Sequence, residues 1–303
     1  MKRGENQMKF LKIPIDKPLT HVSSGHFVSP INWSHSKRNI DSFVLIVGLQ
    51  GTAYIQQDKE KYEVKPGNVL ILLPYTTHFG YEISKESVSY YWCHFYCKNS
   101  SIVDESTFTK ELFVPKIEAS IHNDCNYVMV PIYSSYTNTD RINILFNQLL
   151  HVAYSDYYTS YGASYLLTLI MMELTQQTIS DHIQKLKDDE TNGKFIKMLE
   201  WIRINIENNI SVCDIAREFN YNPDYLSRMF KQKIGISLIK YINSLKITKA
   251  KKMLLCSDNS IKEIAYKLGF TDEKYFMKLF KKMENITPTQ YRNAFFYTHM
   301  NNH

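Results

Sequence analysis

The rhythm of apolar and polar positions changes twice along the chain. In the first third, short β-prone runs recur at His26–Pro30, Phe43–Leu49, Thr52–Gln56 and Val69–Leu73, each cut by turn residues such as Gly48, Gly51, Gly67, Pro74 and Gly80. That spacing predicts a small antiparallel barrel or sandwich. Ser89–Cys97 adds an aromatic-rich strand. On it Tyr90, Trp92, His94 and Tyr96 share one face, and Tyr91, Cys93, Phe95 and Cys97 the other. One of these faces looks inward.

From Asp140 the period becomes helical, with Ile144, Leu145, Leu149 and Val152 on one stripe and Tyr165, Leu166, Leu169, Met172 and Ile179 on a second. Two helices are expected there. The charged, polar stretch Asp181–Gly193 reads as an interdomain linker, and helical patterning resumes beyond it to Tyr291. The expected fold class is α+β in two domains: a β-barrel over 1–135, a helical segment over 136–182, a linker over 183–193, and an all-α domain over 194–295.

The helical part contains a repeat. Ser211-Val-Cys-Asp-Ile-Ala216 returns as Ser260-Ile-Lys-Glu-Ile-Ala265, and Tyr225-Leu-Ser-Arg-Met-Phe-Lys231 returns as Tyr275-Phe-Met-Lys-Leu-Phe-Lys281. Each copy opens with a capping Ser followed three residues later by an acid, and its turn holds Asn220 or Gly269. In the second helix of each copy, Leu226, Met229, Phe230 and Ile234, or Phe276, Leu279, Phe280 and Met283, form an apolar back. The front carries Asp224, Ser227, Arg228 and Lys231 in one copy and Lys274, Met277, Lys278 and Lys281 in the other. One cationic helix face alone would be read as a solvated surface. Its duplication favours a pair of recognition helices, joined by a continuous helix over Leu238–Cys256 about 28 Å long at ~1.5 Å per residue.

Charge supports this. The net charge is +6 overall, but from Thr191 onward 19 Lys and Arg stand against 10 Asp and Glu, leaving 17 against 20 before it. Such a concentrated basic half is the footprint of a polyanion partner. No run of about 18 apolar residues occurs and Met1–Phe10 lacks the apolar stretch of a signal peptide, so a cytoplasmic chain without a membrane partner is expected. Five cysteines, an odd number without a CxxC pair, fit reduced thiols.

The stretch Lys194–Arg292 resembles the DNA-binding domain of the AraC/XylS family of bacterial transcription regulators. Its second unit carries the most specific motif: Ile264-Ala-Tyr-Lys-Leu-Gly-Phe270, Tyr275-Phe276, Phe280-Lys-Lys282 and Thr287-Pro-Thr-Gln-Tyr-Arg292. The resemblance implies contacts to bases or phosphates of double-stranded DNA from Asn222, Asp224, Ser227, Arg228 and Lys231, and from Asp272, Glu273, Lys274, Met277, Lys278 and Lys281. Asp272 and Glu273 could equally cap their helix. Met277 departs from the polar residue common in the family and would meet a thymine methyl or add little specificity. The family also implies a homodimer paired through the helices of residues 136–182, activation more often than repression, and RNA polymerase as a further candidate partner.

Gly51-Thr-Ala-Tyr54, Tyr62–Pro74 and His78 look like the cupin-like effector barrel of sugar-responsive members. A small-molecule effector, a sugar, is therefore expected in the barrel, contacted by Trp92 and His94 with His78, Tyr54 and Arg38 as secondary candidates. The bland alternative, that these aromatics are simply core, stays open at this level. A cupin metalloenzyme is the rival class, but no His-x-His pair occurs and no catalytic motif stands out, so neither metal, cofactor nor enzyme activity is expected.

Overall fold

The computed structural model describes residues 8–113, 126–156, 158–159 and 161–299, the side chains of 190, 191 and 295–299 aside. Among these, 8–108 and 126–181 group as one compact unit, and 109–113 with 182–299 as another.

The first unit is β-rich. Its strands are β1 (Lys9–Pro14), β2 (Thr20–Val28), β3 (Phe43–Gln50), β4 (Ala53–Gln57), β5 (Glu60–Val64), β6 (Asn68–Leu72), β7 (His78–Gly80), β8 (Ser89–Tyr96) and β9 (Ser101–Asp104). Helix α1 (Glu105–Phe113) begins here, followed by β10 (Tyr127–Pro131), β11 (Tyr133–Ser135), α2 (Asp140–Ala153) and α3 (Tyr161–Asp188). The hydrogen-bonded ladders divide into three sheets, ordered β10-β1-β9, β11-β6-β3-β8-β2 and β5-β4-β7. β1, which the polar opening of the chain did not suggest, is a full central strand, and Phe10 stacks on Phe108 with centroids 4.1 Å apart.

β3 explains the layering. It lies between β6 and β8, pairing Leu45 with Ile71 and Cys93, and is buried along both faces. Val44 and Ile46 join Leu70, Leu72, Ala53 and Ile55 in one apolar cluster. Leu45 and Val47 join Tyr91, Cys93 and Phe95 in another, which α2 and α3 cover. A strand buried on both sides must be apolar at every position, as Phe43-Val-Leu-Ile-Val is.

Each helix divides its apolar positions between core and surface. On α2 the buried positions are Ile142, Leu145, Phe146 and Leu149, with Ile144 exposed. On α3 they are Leu167, Ile170, Met171 and Leu174, while Tyr165, Leu169 and Met172 face solvent. The stretch is apolar on two faces, so periodicity found a face without telling which one the sheet covers. The residues expected to form a linker over 183–193 are helical except for Asp189, whose carboxylate caps the next helix by accepting from Asn192 N–H at 2.8 Å.

The second unit holds α4 (Glu190–Ile204), α5 (Val212–Glu218), α6 (Pro223–Ile234), α7 (Leu238–Cys256), α8 (Ile261–Lys267), α9 (Glu273–Glu284) and α10 (Pro288–His299). α7 has the bounds read from the sequence and feeds two separate cores. Leu238, Tyr241 and Ile242 pack with Leu226, Phe230 and Ile234 of α6. Ile247, Ala250 and Leu254 pack with Phe276 and Phe280 of α9. Phe230 and Phe280 are fully buried, each a contribution of about 1.5–3 kcal/mol from apolar burial. Each repeat thus owns a core, with α7 as their shared wall.

Candidate effector cavity and nucleic-acid interface

Between β2, β3, β7, β8 and the irregular segment before β3 lies a cavity of about 270 Å³. β8 contributes Tyr90, Trp92 and His94 from one face, while Tyr91 and Phe95 of the other face lie in the helix-covered core. Both faces of this strand are therefore inward, toward different contents. The irregular segment contributes Trp33, His35 and Arg38, and β7 contributes His78. Backbone contacts hold that segment in place: Trp33 pairs with Ser84, Gly80 N–H donates to the His35 carbonyl at 2.7 Å, Arg38 pairs with His78, and Tyr75 N–H donates to the Ile40 carbonyl at 2.7 Å.

The imidazoles are close-set. His35 and His78 stack at 5.3 Å, and Trp92 meets His94 edge-on at 5.3 Å. Ser42 Oγ lies 3.0 Å from His94 Nδ1. Burial, then the neighbouring His78 and Arg38, push His35 down to about 4. Burial and then Arg38 and His78 lower His94 against the opposing pull of Asp41. His78 is likewise lowered by burial and by Arg38, although its bond to the Thr76 backbone works the other way. All three are neutral rings at pH 7. His35 Nε2 and His78 Nδ1 are buried without a hydrogen-bond partner. Both atoms are therefore able to bond a molecule held in the cavity. Among the described residues, no group of three His, Cys, Asp or Glu side chains is arranged to hold a metal ion.

In the helical unit, both repeats start with a complete capping box. Ser211 Oγ accepts from Asp214 N–H at 3.2 Å while Ser211 N–H donates to the Asp214 carboxylate at 3.0 Å, and Ser260 with Glu263 does the same. Asn220 and Gly269 take the left-handed turn that redirects the chain, with φ of 53° and 67°. Gly269 has a second reason to be glycine: a Cβ there would lie 2.6 Å from the Asn208 carbonyl carbon. Along α6, Asp224, Ser227, Arg228 and Lys231 are exposed; along α9, Lys274, Lys278 and Lys281 are. An apolar back and a cationic front on two helices suit paired insertion into successive major grooves.

A family model described as an AraC-like ligand binding domain matches residues 21–123, and one described as a helix-turn-helix domain matches residues 215–294. The transposon Tn10 TetD protein of Escherichia coli is 33% identical over 118 residues, covering 38% of this chain and 86% of its own. The chain belongs to the AraC family of transcription regulators. Among other relatives, the HTH-type transcriptional regulator YisR of Bacillus subtilis is 25% identical over 279 residues, 89% of this chain and 92% of YisR. The HTH-type transcriptional activator RhaS of Salmonella arizonae is 30% identical over 105 residues, 35% of this chain and 38% of RhaS. This AraC-family protein is a DNA-binding regulator with a ligand-binding domain, and its relatives are regulators rather than enzymes.

Of the five effector-site candidates, Trp92, His94, His78 and Arg38 line the cavity together. Tyr54 does not. β4 alternates buried Ala53, Ile55 and Gln57 with half-exposed Tyr54, which packs edge-on against Tyr81 on the far side of the strand. Trp33, His35 and Tyr90 were missed; the alternation Trp33-Ser-His35 was the available signal, hidden because the segment forms only isolated bridges.

The DNA-facing candidates separate by local role. Asn222 is the N-cap of α6, accepting from Asp224 and Tyr225 N–H, and Asp272 caps α9 through Lys274 N–H at 2.8 Å. Ser227 Oγ donates to the Pro223 carbonyl at 2.9 Å. Met277 is half-buried against the α9 core, so it belongs to the apolar side more than to the front. Tyr225 and Tyr275, equivalent and about half exposed, extend both fronts at positions the sequence reading passed over.

Proposed function

We propose that this regulator activates transcription as a homodimer in response to a sugar held in the β-unit cavity. The observation that carries the reading is the cavity itself: indole and imidazole side chains around a space of about 270 Å³. An indole face suits the apolar face of a pyranose, and neutral imidazoles exchange hydrogen bonds with its hydroxyls.

The dimer reading is supported by Tyr165, Leu169 and Met172, an exposed apolar row on α3, and by Ile144, exposed on α2. RhaS, similar over 105 residues, is named as an activator, which favours a positive sign of control with RNA polymerase as the onward partner. Among the described residues no helix is long and apolar enough to cross a membrane, in keeping with action on DNA in the cytoplasm. Asp224, Ser227, Arg228 and Lys231 are assigned to the first half-site with Asn222 at their head. Lys274, Lys278 and Lys281 are assigned to the second, with Asp272 and Glu273 at theirs.

A thermal-shift screen of monosaccharides tests the reading. A cognate sugar at ~100 times its Kd adds about 2.7 kcal/mol of stability and moves the melting transition up. A set of transitions unchanged by every sugar sinks it.

A further inference from the structure

We propose that the effector is a sugar acid, a ring polyol whose carboxylate pairs with Arg38 at the cavity mouth while its ring lies against Trp92. This rests on reading the cavity as the sugar site.

The first argument is an inventory of the lining. It holds one guanidinium, three imidazoles and the hydroxyls of Ser36 and Tyr90, and neither a carboxylate nor a carboxamide. A neutral sugar presents many hydroxyl donors and is best met by carboxylate acceptors, whereas a guanidinium offers five donors and accepts nothing. The charge of this lining is complementary to an anion.

Arg38 is also uncommitted. It lines the cavity yet is exposed at its edge, and no acid pairs with it among the described residues, unlike Arg141 with Glu173 or Arg217 with Asp214. A planar guanidinium binds a carboxylate with two parallel hydrogen bonds. Its backbone is fixed, because Arg38 and His78 exchange two hydrogen bonds.

The imidazoles complete the match with the polyol. His78 is held by the Thr76 backbone through one ring nitrogen, leaving the buried Nδ1 to accept from a ligand hydroxyl. His35 Nε2, equally unpartnered, stands beside it. Burial and Arg38 keep both rings uncharged, so the anion is left to Arg38 while the rings serve hydroxyls. A simple apolar carboxylate would satisfy Arg38 and strand both ring nitrogens.

Calorimetric and thermal-shift titrations of the full chain with galacturonate, glucuronate, galactose, glucose and benzoate test this. The expected result is a uronate that binds at least about tenfold more tightly than its parent hexose, a preference that weakens at high salt. Arg38→Gln should erase the preference and Arg38→Lys restore part of it, with circular dichroism confirming the fold. A hexose that binds as tightly as its uronate, or a uronate indifferent to both salt and Arg38→Gln, overturns the sugar acid but leaves the sugar reading standing. Binding of benzoate alone overturns both, whereas binding of none of the five overturns the sugar acid and leaves the sugar reading to the wider monosaccharide screen.

Discussion

Arg38 and His78 exchange two backbone hydrogen bonds, each 2.9 Å long, and this bridge ties an irregular segment to β7 at the cavity wall. The same segment passes so close to Gly80 that a Cβ there would fall on Ser34 Oγ and lie 2.6 Å from the His35 nitrogen. Gly80→Ala should therefore push the segment away, at a cost of about 1–3 kcal/mol in overpacking. Denaturant unfolding should show that loss, together with weaker ligand-induced stabilisation. A variant as stable and as responsive as the parent would mean that the segment is not held in this way.

The His35 ring makes stability depend on acid. Its folded value of about 4 lies below the ordinary 6.5, so the unfolded chain binds the proton more readily. The contribution is complete above about pH 6.5 and is lost as pH falls toward 4. About 2 kcal/mol should go between pH 7 and pH 5, at ~1.36 kcal/mol per unit. Burial sets this first, and the neighbouring His78 and Arg38 add to it. His35→Phe removes the titrating group, so melting curves of the variant should fall less steeply over that range than those of the parent.

The two recognition helices should separate specificity from affinity. Arg228 and Ser227 on α6 present a mixed polar front, while α9 presents Lys274, Lys278 and Lys281. Arg228→Ala should cost about 1–3 kcal/mol at one base position and relax discrimination there. Lys278→Ala should weaken all sequences alike and reduce the slope of log K against log salt by about 0.9. Gel-shift titrations across base substitutions in each half-site measure both; equal penalties in the two half-sites would reject the division.

The left-handed turns of the repeats should tolerate change unequally. Asn220 takes φ of 53°, a left-handed conformation that asparagine tolerates and glycine adopts freely, so Asn220→Gly should shift stability by only a few tenths of a kcal/mol. Gly269 is pressed against the Asn208–Asn209 backbone, so Gly269→Asn, although it accepts the same φ, should cost about 2 kcal/mol or more. Chemical unfolding of the two variants side by side makes the comparison.

The helical half was legible because its information is local. Capping serines, acids three residues on, the period of Leu226 and Phe230, and the repeat itself lie within a few turns of one another, and α7 took the bounds Leu238–Cys256 that the pattern gave. Sequence alone also determined that Tyr90, Trp92 and His94 share one face of β8, since a strand alternates whatever surrounds it. Only tertiary structure decided what each face meets. The cavity needed Trp33 and His35, delivered by a segment with no period of its own and held by backbone bonds to residues far along the chain. Tyr54 fell outside because the alternation of β4 turned it away. Tyr165, Leu169 and Met172 form a stripe whose period alone leaves open whether it meets the barrel or a second copy, and they lie at the surface, because α3 is apolar on two faces and the sheet covers one. Periodicity records that a face is apolar; the packing partner chosen by long-range contact determines which face is buried.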